Sequence, residues 1–192
     1  VGDMMMVSGL IARANGCDFS TAYWHRLRGM LQYIASIMDA GGHVPNFGDA
    51  DDAVIARLDP EVGDVYRSLL ATGAILFDSA ELKFKANAGR DRQEVDDKTR
   101  WLLGDDAAAR FQAIDMSRVS LPVRKEFPNA DYYILGDRFE TDREVRIVAD
   151  AGPLGYLSVA AHGHADALAF TLSAGGTEML VDPGTFAYHT EK

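Results

Sequence analysis

The sequence holds one cysteine, Cys17, in 192 residues. A single thiol excludes an intrachain disulfide and a cysteine-based zinc site. It leaves the compartment undecided, since exported proteins also fold without disulfides. No apolar run approaches the ~18–20 residues of a membrane-spanning helix. Positive charge is scarce: 19 Lys+Arg stand against 29 Asp+Glu, a formal net charge of −10. That shortage argues against a nucleic-acid binder, which needs a basic footprint. Taken at face value it also argues against an anionic polymer as ligand. There is no internal repeat, Gly-rich phosphate loop or nucleophile elbow. What is present is 47% hydrophobic and 25% charged, the balance of a globular chain with a core. The length allows one large domain or two small ones. The start at Val1-Gly2-Asp3, without an initiator Met or a basic leader, and the stop after Glu191-Lys192 suggest a segment cut from a longer protein.

Two textures follow one another. Residues 20–38 carry Tyr23, Leu27, Met30, Leu31, Ile34, Ile37 and Met38 at spacings of three and four, one apolar stripe on a helix. Ser20 is the candidate N-cap and Gly41-Gly42 the stop. Residues 61–72 repeat the pattern and should end at Gly73. Residues 94–113 should form two short helices broken at Gly104, and Lys83 to Gln93 reads as a loop. From Leu121 onward, Tyr132–Leu135, Glu144–Ala149, Ala167–Ala174 and Glu178–Val181 read as short strands, the last two joined by the turn Ala174-Gly175-Gly176-Thr177. Helices first and strands second indicates segregated α+β layers or two domains. The boundary is expected near residue 120.

Three clusters could carry chemistry. In Ala161-His162-Gly163-His164-Ala165-Asp166, an extended backbone would point both imidazoles to one face. The plain alternative is two histidines hydrogen-bonded at a strand end. Asp182 lies in the partner strand of the expected hairpin, so His164 and Asp182 would make half of a tetrahedral zinc site. His189, or a residue beyond the chain's end, would complete it. The second cluster is Ser20-Thr21-Ala22-Tyr23-Trp24-His25-Arg26. Tyr23 and His25 could form a proton-transfer pair with Arg26 as a nearby cation, although aromatics at a helix start more often serve the core. The third is Pro45-Asn46-Phe47-Gly48-Asp49-Ala50-Asp51-Asp52. It lacks EF-hand spacing, and helix capping outweighs metal binding.

The runs Gly155 to Phe170 and Leu180-Val181-Asp182-Pro183-Gly184-Thr185-Phe186 closely resemble the heparinase II/III family of polysaccharide lyases. The segments Pro45 to Asp52 and Phe127 to Tyr133 fit the same family in the same order. The resemblance implies a multidomain α+β fold, an (α/α) toroid followed by an antiparallel β-sandwich. Residues 1–120 would be the C-terminal part of the toroid, and residues 121–192 the first part of the sandwich. It implies His162 and Tyr23 as catalytic residues, with His25 and Arg26 as substrate-binding candidates. The Tyr-His pair of many members is interrupted here by Trp24. It implies His164 and Asp182 as ligands of a structural zinc, the third ligand being a histidine beyond Lys192. The implied partner is an anionic uronate polysaccharide or oligosaccharide such as heparan or alginate, cleaved by β-elimination. A second copy of the chain as a homodimer is a further option, and a periplasmic or secreted location is expected. Neither nucleic acid nor a membrane span is. A −10 charge on a segment no longer excludes an anionic substrate, because recognition is local. A non-catalytic carbohydrate-binding relative of the same fold is the competing reading, and a cupin-like enzyme with His162 and His164 as joint metal ligands is another.

Overall fold

The structure is a computed structural model that describes residues 1–48, 54–56, 58, 64–89, 95–153 and 167–184. Among the described residues six α-helices precede five strands, in the order expected of an α+β chain. The chain divides into two compact units, one of Val1–Ser36 with Ala53–Val123, the other of Ile37–Asp52 with Arg124–Lys192. The segment after the long helix therefore clusters with the strands, although it is distant from them in sequence.

The helical unit contains α1 (Gly2–Ala14), α2 (Thr21–Ile37, whose last residue falls in the other unit), α3 (Val65–Phe77), α4 (Ala80–Ala86), α5 (Asp97–Leu103) and α6 (Ala107–Ala113). The stripe on α2 becomes core: Leu27, Leu31 and Ala35 are fully buried. The Asp64 carboxylate caps α3 by accepting the Tyr66 and Arg67 amides, so the helix begins later than its apolar period suggests. Gly73 does not end it. A Cβ there would collide with Leu31 Cδ1, so the glycine is the point where α2 and α3 approach closely. The helix stops at Asp78, in the left-handed conformation with φ 48°.

The expected loop from Lys83 begins inside α4. Ser79 accepts the Leu82 amide as N-cap, and Leu82 and Ala86 are buried. Lys83 is buried as well, its ammonium donating to the carbonyls of Gln112 (2.9 Å) and Ile114 (3.2 Å). It thereby satisfies acceptors at the end of α6. Burial lowers its pKa. Helices α5 and α6 flank Gly104 as the sequence indicates. Lys98 pairs with Asp3 of α1 away from solvent, and the other Asp3 oxygen accepts the Ile55 amide.

The sheet unit is an antiparallel meander of β1 (Glu126–Phe127), β2 (Tyr132–Asp137), β3 (Val145–Asp150), β4 (Phe170–Ala174) and β5 (Thr177–Leu180), paired in sequence order. Gly136 lies opposite Arg146 at φ 149°. A Cβ there would fall on the Val145 carbonyl, with the carbonyl carbon 3.0 Å away. Backbone cannot yield as a side-chain tip can. Gly136→Ala is therefore expected to destabilise the sheet unit by about 1–3 kcal/mol, read from the urea midpoint of the β signal. An unchanged midpoint would contradict this geometry.

The two faces of the sheet differ. Ile134, Arg146, Val148, Thr171 and Ser173 are buried. On the opposite face Leu135, Val145 and Phe170 are each more than two-fifths exposed, around Ile147 and Leu172 in the cross-strand register.

Candidate functional site

Tyr23 sits in the first turn of α2. Its ring stacks on Phe19 at 4.4 Å and meets Trp24 edge-on at 5.4 Å. Its hydroxyl donates to the Met5 carbonyl of α1 at 2.6 Å. Burial raises its pKa, so the phenol is neutral at pH 7. Trp24 donates its indole N–H to Asp18 (2.8 Å) and carries the Arg13 guanidinium 3.9 Å above its ring, while Arg13 also pairs with Asp18 at 3.1 Å. Burial opposes ionisation of Asp18, but the Trp24 and Arg13 hydrogen bonds outweigh it and lower its pKa.

His25 and Arg26 are exposed. On an α-helix, residues two apart point away from each other and residues three apart are neighbours. The helix therefore brings Arg26, not His25, to the side of Tyr23. The structure gives Tyr23 contacts with Met5, Phe19 and Trp24, and places its ring edge against Gly9 of α1.

His162 and His164 lie outside the described residues. The ends of the connection that carries them are described. Strand β3 runs out at Asp150, and β4 starts beside it, with Ala149 opposite Phe170 and the Asp150 amide donating to Ala169 at 2.8 Å. Strand β5 returns antiparallel, with Leu180 opposite Leu172. Its C-terminal end, and Asp182 beyond it, thus fall at the sheet end from which the connection leaves and to which it returns. Asp182 is half-buried, and its Oδ1 accepts the Gly184 amide at 2.8 Å. It lies two residues past β5, not within the strand as the pattern suggested.

Two further residues belong to this sheet end and were not singled out from the sequence. Tyr132 donates to Asp150 Oδ2 at 2.7 Å, and Asp150 Oδ1 accepts the Gly152 amide at 2.9 Å. The Phe47 ring meets Tyr132 edge-on at 5.5 Å. Phe47 belongs to the acidic segment read as a cap, and it packs on the sheet. Asp49, Asp51 and Asp52 of that segment lie outside the described residues, as does His189.

Residues 120–192 match the family model described as Heparinase II/III-like, C-terminal. Over these residues the chain is similar to the heparinase II/III-like family. No curated protein and no solved structure matches the chain.

The antiparallel meander lies within the residues that match this family model. A carboxylate with imidazoles is a donor set that Zn²⁺ accepts, and Asp182 in this stretch is one such carboxylate. Among the described residues no three His, Cys, Asp or Glu side chains converge on a metal position. Among them, too, no helix is long and apolar enough to cross a membrane.

A third feature of the sheet escaped the sequence reading. Arg146 is 1% exposed and pairs with Glu140 (2.6 Å) and Glu144 (2.8 Å), themselves 4% and 0% exposed. Glu144 also accepts the amides of Ala40 (2.9 Å) and Glu140 (2.7 Å). The cluster thus holds the segment after α2 against the sheet. Its signal was a charged pair at alternate positions, Glu144 and Arg146, on the strand face that proved to be buried.

Proposed function

We propose that the complete protein is a polysaccharide lyase that cleaves a uronate-containing polymer, heparan-like or alginate-like, by β-elimination. The observation that carries this reading is the family match over residues 120–192, which includes His162-Gly163-His164-Ala165-Asp166. In that reaction a base takes the C5 proton of the uronate. The electron pair forms the C4–C5 double bond, the 4-O-glycosidic bond breaks, and an acid protonates the departing oxygen. His162 is assigned the base role for one C5 epimer and Tyr23 the acid role. For the other epimer Tyr23 would have to act as base, which the raised pKa of its phenol opposes. A neutral phenol is a suitable donor to a leaving alkoxide. The charge that develops on the uronate carboxylate needs a preorganised donor, worth about 3–4 kcal/mol of barrier, with Arg26 and His25 as local candidates.

His164 and Asp182 would hold a zinc ion with a third ligand. That zinc would fix the loop between β3 and β4 to the end of β5 and so orient His162. Two observations support this. The topology brings both ends of the loop and Asp182 to one end of the sheet. The exposed apolar face around Ile147 is what the second sheet of a sandwich would cover. A periplasmic or secreted location and an (α/α) toroid around the six helices follow from the same reading.

The test is the absorbance of the 4,5-unsaturated product over a panel of heparan, alginate and other uronate polymers. Activity on at least one is expected, and it should fall about 10²-fold or more in Tyr23→Phe. A complete protein that releases no unsaturated uronate from any of them would be a non-catalytic carbohydrate-binding relative. Unchanged turnover in Tyr23→Phe would leave Tyr23 a packing role against Met5, Phe19 and Trp24.

A further inference from the structure

The seat of Tyr23 on α1 is built around a missing side chain. Met5, Gly9 and Arg13 stand four residues apart on α1, so they share one face of the helix. Each meets a different part of the aromatic pair in the first turn of α2. The Met5 carbonyl accepts the Tyr23 hydroxyl at 2.6 Å. The Arg13 guanidinium lies 3.9 Å from the centre of the Trp24 ring. Between them Gly9 is buried and offers no Cβ. A Cβ there would stand 2.7 Å from Trp24 Cη2 and 2.9 Å from Tyr23 Cε1, well inside van der Waals contact.

Glycine weakens a helix interior relative to alanine. Gly9 is not among the positive-φ glycines, so the backbone does not require it. The space does. Phe19 stacks on the Tyr23 ring at 4.4 Å, so the ring is held on a face by Phe19 and along an edge by α1. A ring held this way fixes its oxygen and leaves only the O–H bond to turn. The charged groups beside the aromatic pair are Arg13 of α1 and Asp18 of the turn before α2, and they pair with each other at 3.1 Å.

We infer that Gly9 is a positioning residue for the acid step: the lack of a side chain there sets where the Tyr23 hydroxyl stands. The inference rests on the lyase reading of Tyr23. In that step the hydroxyl turns from the Met5 carbonyl to the departing glycosidic oxygen. The O–H bond breaks, the proton moves to that oxygen, and its electron pair stays on the phenolate. The transfer depends on where the phenol oxygen lies, and a misplacement of about 1 Å can cost on the order of 10²-fold. An alanine at position 9 would push the ring off α1.

The complete protein is assayed for unsaturated uronate unaltered, as Gly9→Ala, as Tyr23→Phe and as the double variant, each shown to be folded by its thermal melt. Gly9→Ala is expected to lower kcat about tenfold and to leave KM unchanged. The alkaline limb of kcat should move to lower pH, because the displaced ring loses part of the burial that raises its pKa above the ordinary 10.0. Adding Gly9→Ala to Tyr23→Phe should change turnover by less than about twofold. Phenylalanine keeps the ring edge that meets the Cβ but has no hydroxyl to misplace. A tenfold loss in both backgrounds would mean a packing role alone and would overturn the inference. So would a folded Gly9→Ala protein with unaltered kcat and pH profile. Should Gly9→Ala not fold, the unaltered protein decides: isotope-labelled Tyr23 Cζ, followed by NMR, should titrate above 10.0, and titration at or below that value would overturn the seat. Absence of product from the unaltered protein, or full turnover in Tyr23→Phe, would instead remove the lyase role of Tyr23, and the inference with it.

Discussion

Arg146→Met is expected to cost the sheet unit about 3–5 kcal/mol, the usual result of removing one partner from a buried ion pair. The side chain fills similar space, so the loss is electrostatic: Glu140 and Glu144 remain buried, 4% and 0% exposed, with no counter-charge. The pH dependence should also change sign. In the native protein burial opposes ionisation of Glu144, but the Arg146 hydrogen bond and the Glu140 and Ala40 amides outweigh it, and the pKa falls below its ordinary 4.5. A depressed folded pKa means that stability is present in full above about pH 4.5 and is lost as the pH falls through the folded value. Without Arg146 only the two amide hydrogen bonds oppose burial, the buried Glu140 carboxylate adds like charge, and the folded pKa is expected to rise. The variant should then gain stability as the pH falls toward about 4.5, where the native protein begins to lose it. Urea midpoints across that range, with hydrogen exchange of the Ala40 and Glu140 amides as a local probe, read both effects. Parallel pH profiles, or a cost below about 1 kcal/mol, would mean that the cluster does not hold the segment after α2.

The helices were legible where the apolar period was long and uninterrupted. The stripe on α2 and the pair of helices around Gly104 lie where the sequence places them. Gly73 misled because a glycine that ends a helix and one that admits a neighbouring helix look alike in one sequence. Only the approach of Leu31 separates the two cases. Lys83 misled because lysine reads as surface, whereas here its ammonium satisfies carbonyls at the end of another helix. Neither partner is visible from local pattern.

The strands were legible as strands, but not in the face they bury. Val145, Ile147 and Ala149 alternate with Glu144, Arg146 and Val148, and period-2 reasoning would turn the first set inward. In the described unit the second set is buried, under a segment that lies about a hundred positions earlier in the chain. The reversal has a physical reason. Arg146 and Glu144 neutralise each other and bond the backbone of that segment, so a polar face can be covered. The apolar face stays open, as expected of a sheet that packs on a further layer. For the candidate site, the family run supplied His162, His164 and Asp182. Tyr132 lies in the Phe127 to Tyr133 segment, but its pairing with Asp150, which braces the exit from β3, became visible only through the strand register.

His162 and His164 are separated by one residue, and their variants should fail in different ways. His162→Ala is expected to lower elimination about 10²–10⁴-fold, the usual contribution of a positioned base, with the zinc content of the purified protein unchanged. His164→Ala should lower zinc content first. Its activity should fall with metal occupancy, roughly 10–100-fold, because the loop that aims His162 loses its anchor. Asp182→Asn should follow His164→Ala, because both belong to the proposed zinc set, and the turn that Asp182 Oδ1 makes with the Gly184 amide survives in an asparagine. Metal analysis and turnover, measured on the same preparations, separate the possibilities. Normal zinc in His164→Ala would remove it from the metal set. Metal lost in both histidine variants would mean joint ligation, as in a cupin-like site, and would take the base role from His162. If only His164→Ala and Asp182→Asn lose metal while His162→Ala keeps it and loses turnover, one imidazole carries the proton and the other holds the loop that aims it.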